Sequence, residues 1–411
     1  MSLSKINPDV EGDTPSVNPE SAGTGGRWLA PVFSRLPVPV LGVIVYAGIR
    51  VLSVALTAVA LRHGIYLTRH RSLVQYSRSG DGGHYWFIAV HGYAYPAGQL
   101  AHASGFSFFP GYPALIDSLA WLPGVTIVAA GLIVTAVAGL VAAWGLTTLG
   151  LRLTGDPRIS VLLVAAWAVA PSSTVLSMMY AEALFCALAV WALVALTRQR
   201  WLTAAGLTIA AGLVRSTALA LIAAVAVAAL TALVRAARAR QPFGSWWRPA
   251  AALILAPLGM LAFLAYVALA THRLDGWFWI EGNTFHMSFD WGVSMLRVLE
   301  GTIFGKPIVA QVLVVLALAA AVVLTLWSLT ERIPLYLHVY TVAVVFLALA
   351  TSANWLGSKP RFILPAVLLG LPVARLLAPA RTAVLVLIVV VLAAASTWFS
   401  LDLHMVAGWA P

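Results

Sequence analysis

Long apolar stretches separated by short polar turns dominate the chain. Runs rich in Ala, Leu and Val recur at roughly 37–61, 125–151, 159–171, 173–197, 202–214, 216–234, 250–271, 308–329, 334–352, 362–378 and 382–400. A bilayer core takes about 20 apolar residues per helical span. Lipid offers no hydrogen bonds to the backbone, so spanning segments must satisfy their own as helices or closed barrels. These runs are far too long for barrel strands. The pattern predicts an all-α polytopic membrane protein of about eleven transmembrane helices, two of them short. No internal repeat accompanies it.

The polar stretches divide the chain. Residues 1–36 open with Pro, Ser, Gly and Thr and no apolar period, which reads as a disordered cytoplasmic tail. The first apolar run comes too late and is too long for a cleaved signal peptide, so it stays as an anchor. Residues 37–402 form the transmembrane domain, and residues 403–411 a short extracytoplasmic tail. Within the domain, 62–123 is the first long polar connection, and short interfacial helices are expected in it.

Composition agrees and excludes other classes. The chain of 411 residues is 61% hydrophobic and 9% charged, with mean hydropathy +0.92. A soluble domain averages about 25% charged residues. The net charge of +11 is scattered over short loops, as topogenic charge and headgroup contacts require, and does not signal nucleic acid. The single cysteine, Cys186, excludes a disulfide within the chain and a thiolate metal site.

Charge also sets an orientation. Arg152 and Arg158, Arg198 and Arg200, Arg235, Arg238, Arg240 and Arg248, Arg332, and then Arg375 and Arg381 fall on alternate connections, all on one side. The positive-inside rule makes that side cytoplasmic. The extracytoplasmic side then receives 62–123, Pro171–Glu182, Arg215, 272–306 and Ser358–Arg361. Arg62, Arg69, Arg71 and Arg78 in the first loop oppose this, but the loop's length and the other connections outweigh them. The expected location is the cell membrane, with the unusual polar groups outside.

Those groups carry the candidate chemistry. Asp81 stands among Gly80, Gly82 and Gly83, where small neighbours let a substrate approach closely. It reads as the N-cap of a short helix through His91 that Gly92 ends, as a general base, or as both. His84 and His91 share a helix face, yet no third ligand is evident, so no metal is assigned. Phe108-Phe109-Pro110-Gly111-Tyr112-Pro113 predicts a turn into a second short helix, Ala114 to Leu122. Its aromatics serve packing or line a lipid-chain groove.

Charges inside apolar spans are costly and are usually paired or functional. Arg50 therefore must face protein or a cavity. Glu182 and Arg215 form a structural pair, or Arg215 meets an anionic ligand. The 272–306 loop brings Trp277, Trp279, Glu281, His286, Asp290, Trp291 and Lys306 to cap a sugar site or to decorate the interface. Lys359 and Arg361 are either membrane-edge anchors or a phosphate clamp.

These residues resemble the PIG-V-like mannosyltransferases, the bacterial relatives of the second mannosyltransferase of GPI-anchor assembly, in the GT-C class. The resemblance rests on Asp81-Gly82, Tyr85-Trp86, Ile88-Ala89 and Gly92-Tyr93, then Phe108–Pro113, Tyr180-x-Glu182-x-Leu184-Phe185, Arg215-Ser216, and Arg361-Phe362 with Leu364-Pro365. These keep family order from about residue 50 to 375. The chain departs in having Gly80 where the family has Trp, and Thr217-Ala218 where it tends to Asn-Gly.

What the resemblance implies is a glycosyltransferase with a GT-C-like fold and an extracytoplasmic site. A polyprenyl-phosphate sugar, with mannose first, is the donor; a lipid or glycan is the acceptor. No cofactor and no obligatory Mg²⁺ follow, and membrane lipids are the other partners. Asp81 is the expected base. Arg215, Lys359 and Arg361 are expected at the phosphate, with Glu182, His84, Tyr85, Tyr112 and His286 as further substrate-binding residues. A transporter or flippase, or a GT-C enzyme for another sugar such as glucose or arabinose, is the competing reading.

Overall fold

Ala-, Leu- and Val-rich segments become helices here because their ends are capped. Thr126 accepts from the Ala129 N–H and opens Ile127–Thr154. Gly155, in the left-handed region at φ 68°, closes it. Asp156 then accepts from Arg158 and Ile159, and Pro157 takes the first position of Pro157–Ala168. Stop and start signals thus sit side by side and turn the chain back on itself.

The computed structural model describes residues 36–63, 72–93 and 104–409. The expected tail before Leu36, together with Arg69 and Arg71, lies outside the described residues. Among the described residues the chain is all-helical, with one isolated antiparallel bridge between Phe289 and Thr351. Six helices are long and apolar enough to cross a membrane: Val38–Arg62, Ile127–Thr154, Ala218–Arg238, Gly244–Thr271, Val309–Ser328 and Thr382–Met405. A seventh is counted if Ala353–Ile363 and Val367–Leu377, bent by 63°, act as one span. The architecture is that of a multi-pass membrane protein.

The count differs from the expected eleven. Pro157–Ala168, Glu182–Thr197, Trp201–Gly212 and Leu335–Ala350 are apolar helices of only 12, 16, 12 and 16 residues. That falls short of the roughly 20 that cross the hydrocarbon. Breaks in the chain shorten them. Between the first two, Pro171 and Ser172, at φ 61°, lead into a 3₁₀ turn, Ser173–Ser177. The last span also runs further than expected, through Met405, so the segment after 402 begins inside a helix.

The central element is Ile127–Thr154. It packs against Glu182–Thr197, Pro157–Ala168, Val38–Arg62 and the short helix Gly111–Ala120. A second layer joins Ala218–Arg238 to Leu335–Ala350 and Phe243–Leu255. Arg50 resolves as a charge facing protein. It is buried and donates to the carbonyls of Ala168 and Ser173, which lie at the end of one helix and in the 3₁₀ turn. A cation there complements the carbonyl ends that the broken helix leaves unpaired.

Contacts sort the connections into two ends. At one, Arg152 donates to Thr197, Arg158 to the Ala380 carbonyl, and Arg375 pairs with Glu331. At the other, Met179 N–H donates to Ser77, Gly111 N–H to Leu213, and Trp355 to Phe285. The second end holds the first-loop helices, the turn before Glu182, the turn at Arg215, the 276–286 helix region and the approach to Arg361.

Candidate functional site

The site begins with a backbone turn. Gly80 has φ 59° and ψ −130°, a region that side chains disfavour. It is the N-cap residue, and Asp81 is the first residue of Asp81–His91, with Gly92 ending the helix. Asp81 therefore does not cap with its side chain, contrary to one expectation. Its backbone N–H instead donates to the Tyr180 hydroxyl at 3.2 Å, and that hydroxyl donates to the Ser79 carbonyl at 3.0 Å. Tyr180 thus pins the turn that presents the carboxylate.

A second close approach brings Arg215. Gly111 N–H donates to the Leu213 carbonyl at 2.6 Å. A Cβ at Gly111 would lie 2.8 Å from that oxygen, so glycine is what lets the Phe108–Pro113 motif dock there. The helix that follows is Gly111–Ala120, starting earlier than expected, with Pro113 in its first turn, where a missing N–H costs nothing.

Four charges then meet. Arg361 Nη2 lies 2.8 Å from Asp81 Oδ2, and Arg215 Nη1 lies 2.6 Å from Glu182 Oε1. Arg361 Nε is 3.9 Å from the same Glu182 oxygen. Side-chain exposure is 0% for Glu182, 4% for Arg361, 11% for Arg215 and 19% for Asp81. Asp81 is therefore not the lone acid its sequence setting suggests. Its partner is 280 positions away along the chain. The Arg361 guanidinium also stands 5.1 Å from the ring centres of both Tyr180 and Phe362, a cation–π cradle that fixes its plane.

The cluster is balanced in charge but not in hydrogen bonds. Arg361 Nε and Nη1 and Arg215 Nε are buried without an acceptor. Both Glu182 oxygens also lack a well-directed donor, although Arg215 is at ion-pair distance. Buried polar atoms in folded proteins are nearly always paired, so each exception calls for a physical reason. N–H donors left unpaired on two arginines of one ion-pair network suit an anion.

Aromatic residues pack along the helix that begins at Asp81. His84 stacks on Phe108 at 4.5 Å, and Phe285 meets both edge-on at 5.7 and 5.9 Å. Tyr85 is buried, edge-on to Phe108 and Tyr112. Burial pushes its phenol well above the ordinary value, so it stays neutral. Burial likewise lowers His84, with the Asp81 carboxylate pulling the other way.

The chain matches no protein-family model and no curated protein sequence.

The remaining sequence candidates separate. Lys359 Nζ is buried and donates to the Ala348 carbonyl at 2.8 Å and to the Thr351 carbonyl and hydroxyl at 2.7 and 2.6 Å. It closes the end of Leu335–Ala350 and does not join the charged cluster. Tyr112 is buried, with its hydroxyl on the Gly131 carbonyl and the Thr135 hydroxyl; it supports Tyr85 from behind. The His286 side chain is exposed, while its carbonyl accepts from Ser352 and Asn354. Asp290 accepts from the N–H groups of Gly292 and Ser294 and starts the next helix. Among the described residues no group of three or more His, Cys, Asp or Glu gathers to hold a metal.

Tyr180 and Phe362, which cradle Arg361, are motif residues to which the sequence assigned no role. The signal for Tyr180 was its place two residues before Glu182, in a segment too polar to be plain span.

Proposed function

We propose that the chain is a membrane glycosyltransferase of GT-C type. It moves a sugar, mannose by its resemblance, from a polyprenyl-phosphate donor to a lipid or glycan acceptor on the extracytoplasmic face of the cell membrane. The observation that carries this reading is the cluster of Asp81, Glu182, Arg215 and Arg361. A carboxylate and buried, unsatisfied guanidinium N–H groups lie within one ion-pair network. One sugar-phosphate can touch both.

The chemistry follows from those positions. The phosphate accepts from Arg361 and Arg215, whose charge offsets what develops on the leaving oxygens. Asp81 takes the proton from the acceptor hydroxyl as its oxygen bonds to the anomeric carbon. The bond from that carbon to phosphate breaks with its electron pair on the phosphate. Attack from the face opposite the leaving group inverts the centre, by analogy with inverting hydrolases. Glu182 touches no substrate in this scheme. Fully buried, it holds Arg215 and steadies Arg361.

Gathering the four charges at one end of the bundle, with Glu182 and Arg361 buried, favours this over translocation. Transporter sites tend to lie near the midplane between repeats, and the sequence has no repeat. The test is incubation of the purified protein in vesicles with radiolabelled polyprenyl-phosphate mannose. Label in a new lipid or glycan product is the expected result. Label that stays in the donor, or that crosses the vesicle membrane unchanged, contradicts the transferase reading.

A further inference from the structure

One tyrosine touches both partners of the ion pair at Asp81. Tyr180 lies in the link between the 3₁₀ turn Ser173–Ser177 and the helix Glu182–Thr197, and it is fully buried. Its hydroxyl accepts from the Asp81 N–H at 3.2 Å and donates to the Ser79 carbonyl at 3.0 Å. Its ring centre lies 5.1 Å from the Arg361 guanidinium carbon. The Asp81 carboxylate and that guanidinium meet each other at 2.8 Å. The hydroxyl therefore holds the residue that carries the base, and the ring holds the cation that faces the phosphate.

The hydroxyl contact replaces a cap that the local sequence lacks. The first N–H groups of a helix have no partner within it, and Gly80, the N-cap of Asp81–His91, has no side chain to offer one. Tyr180 supplies the acceptor from 99 positions away. The segment around it is fixed as well. The Met179 N–H donates to the Ser77 carbonyl at 2.9 Å. A Cβ on Gly82 would come within 3.0 Å of that same oxygen and 3.3 Å of the Met179 carbonyl, so glycine lets the two segments close on each other. The Tyr180 carbonyl accepts from the Thr135 hydroxyl at 3.3 Å, and that hydroxyl is bonded to Tyr112 at 2.7 Å. The tyrosine is thus held at its hydroxyl, its carbonyl and its ring.

Resting on the transferase reading, we infer that Tyr180 is the positioning residue that sets the span between the base and the phosphate clamp. It touches no reacting atom. Its hydroxyl fixes where the Asp81 carboxylate stands. Its ring fixes the plane in which Arg361 presents the N–H groups left without an acceptor. Phe362 shares that second task, 5.1 Å from Arg361 and 5.8 Å from Arg215, but it has no hydroxyl to share the first. The two effects are separable because they come from different atoms. A reacting group displaced by about 1 Å loses about a hundredfold in rate, whereas a cation–π contact acts on how firmly the cation is held. The hydroxyl governs kcat, and the ring governs the hold on the donor.

The test compares wild-type, Tyr180→Phe and Tyr180→Leu proteins in vesicles, with radiolabelled polyprenyl-phosphate mannose as donor. Rates are counted per folded protein, from thermal unfolding of the same preparations. Tyr180→Phe removes one oxygen and keeps the ring, so kcat should fall about ten- to a hundredfold with the donor KM unchanged. Tyr180→Leu removes both, so kcat should fall at least as far and the donor KM should rise about tenfold. A merely structural tyrosine would lower the folded fraction in both variants and move neither constant of what stays folded. If wild-type protein transfers sugar and Tyr180→Phe keeps its kcat, or Tyr180→Leu keeps its donor KM, Tyr180 does not position the site and the transferase reading stands. Should the leucine variant not fold, Tyr180→Phe decides alone; a Tyr180→Phe protein that does not fold marks the hydroxyl as structural and overturns the inference. If wild-type protein transfers no sugar, the transferase reading itself fails and the inference with it.

Discussion

The two ends of the bundle use the same ion-pair chemistry in opposite ways. At one, Arg375 meets Glu331 at 2.7 Å with 40% of the arginine side chain exposed. At the other, Arg361 meets Asp81 and Arg215 meets Glu182 at similar distances, with the two arginine side chains only 4% and 11% exposed. Exposed pairs are screened by water and contribute little. Buried pairs cost desolvation that their attraction repays only in part. A chain that needed charge only for topology would keep it in the first form. Holding four charges together with so little exposure, with donors left over, is the cost on which the proposed anionic ligand rests.

Stability measurements can sharpen that contrast. Glu182→Ala leaves Arg215 buried without its partner and should lower stability by about 3–5 kcal/mol, read as thermal unfolding of the detergent-purified protein. Arg375→Ala at the other end should cost no more than about 1 kcal/mol. Equal losses at the two ends would erase the distinction between them. A Glu182→Ala protein as stable as wild type would mean that the cluster is wetter than its burial indicates.

The sequence made the members of this cluster legible and hid their pairing. Asp81, Glu182, Arg215 and Arg361 stood out because charge is rare in so apolar a chain. Glu182 with Arg215 was foreseeable as a pair across neighbouring segments. Asp81 with Arg361 was not, since nothing local links residues so far apart. Lys359 stands apart from the cluster for a geometric reason. It lies two residues from Arg361, and side chains at that spacing on a helix point in different directions. Lysine turned to the carbonyls of Ala348 and Thr351, and arginine to the acid.

The fold shows the same division. Helical, lipid-facing character followed directly from hydropathy, and the helix end at Gly92 from residue type. The number of full spans did not follow, because an apolar window does not reveal where the backbone breaks. The 63° bend before Val367 divides the 362–378 run that composition alone joins. Asp81 read as a cap, a general base or both; the cap falls to Gly80, whose backbone angles no local pattern announces. That shift leaves the Asp81 carboxylate available to Arg361.

Asp81 is the residue on which the proposed transfer turns. The most direct test is the rate of sugar transfer from polyprenyl-phosphate mannose by Asp81→Asn protein, checked to be folded and to bind donor. The substitution keeps the size and removes the base, so the rate should fall by about 10²–10⁴. A rate equal to that of the wild type would contradict the assignment of Asp81 as the group that takes the hydroxyl proton.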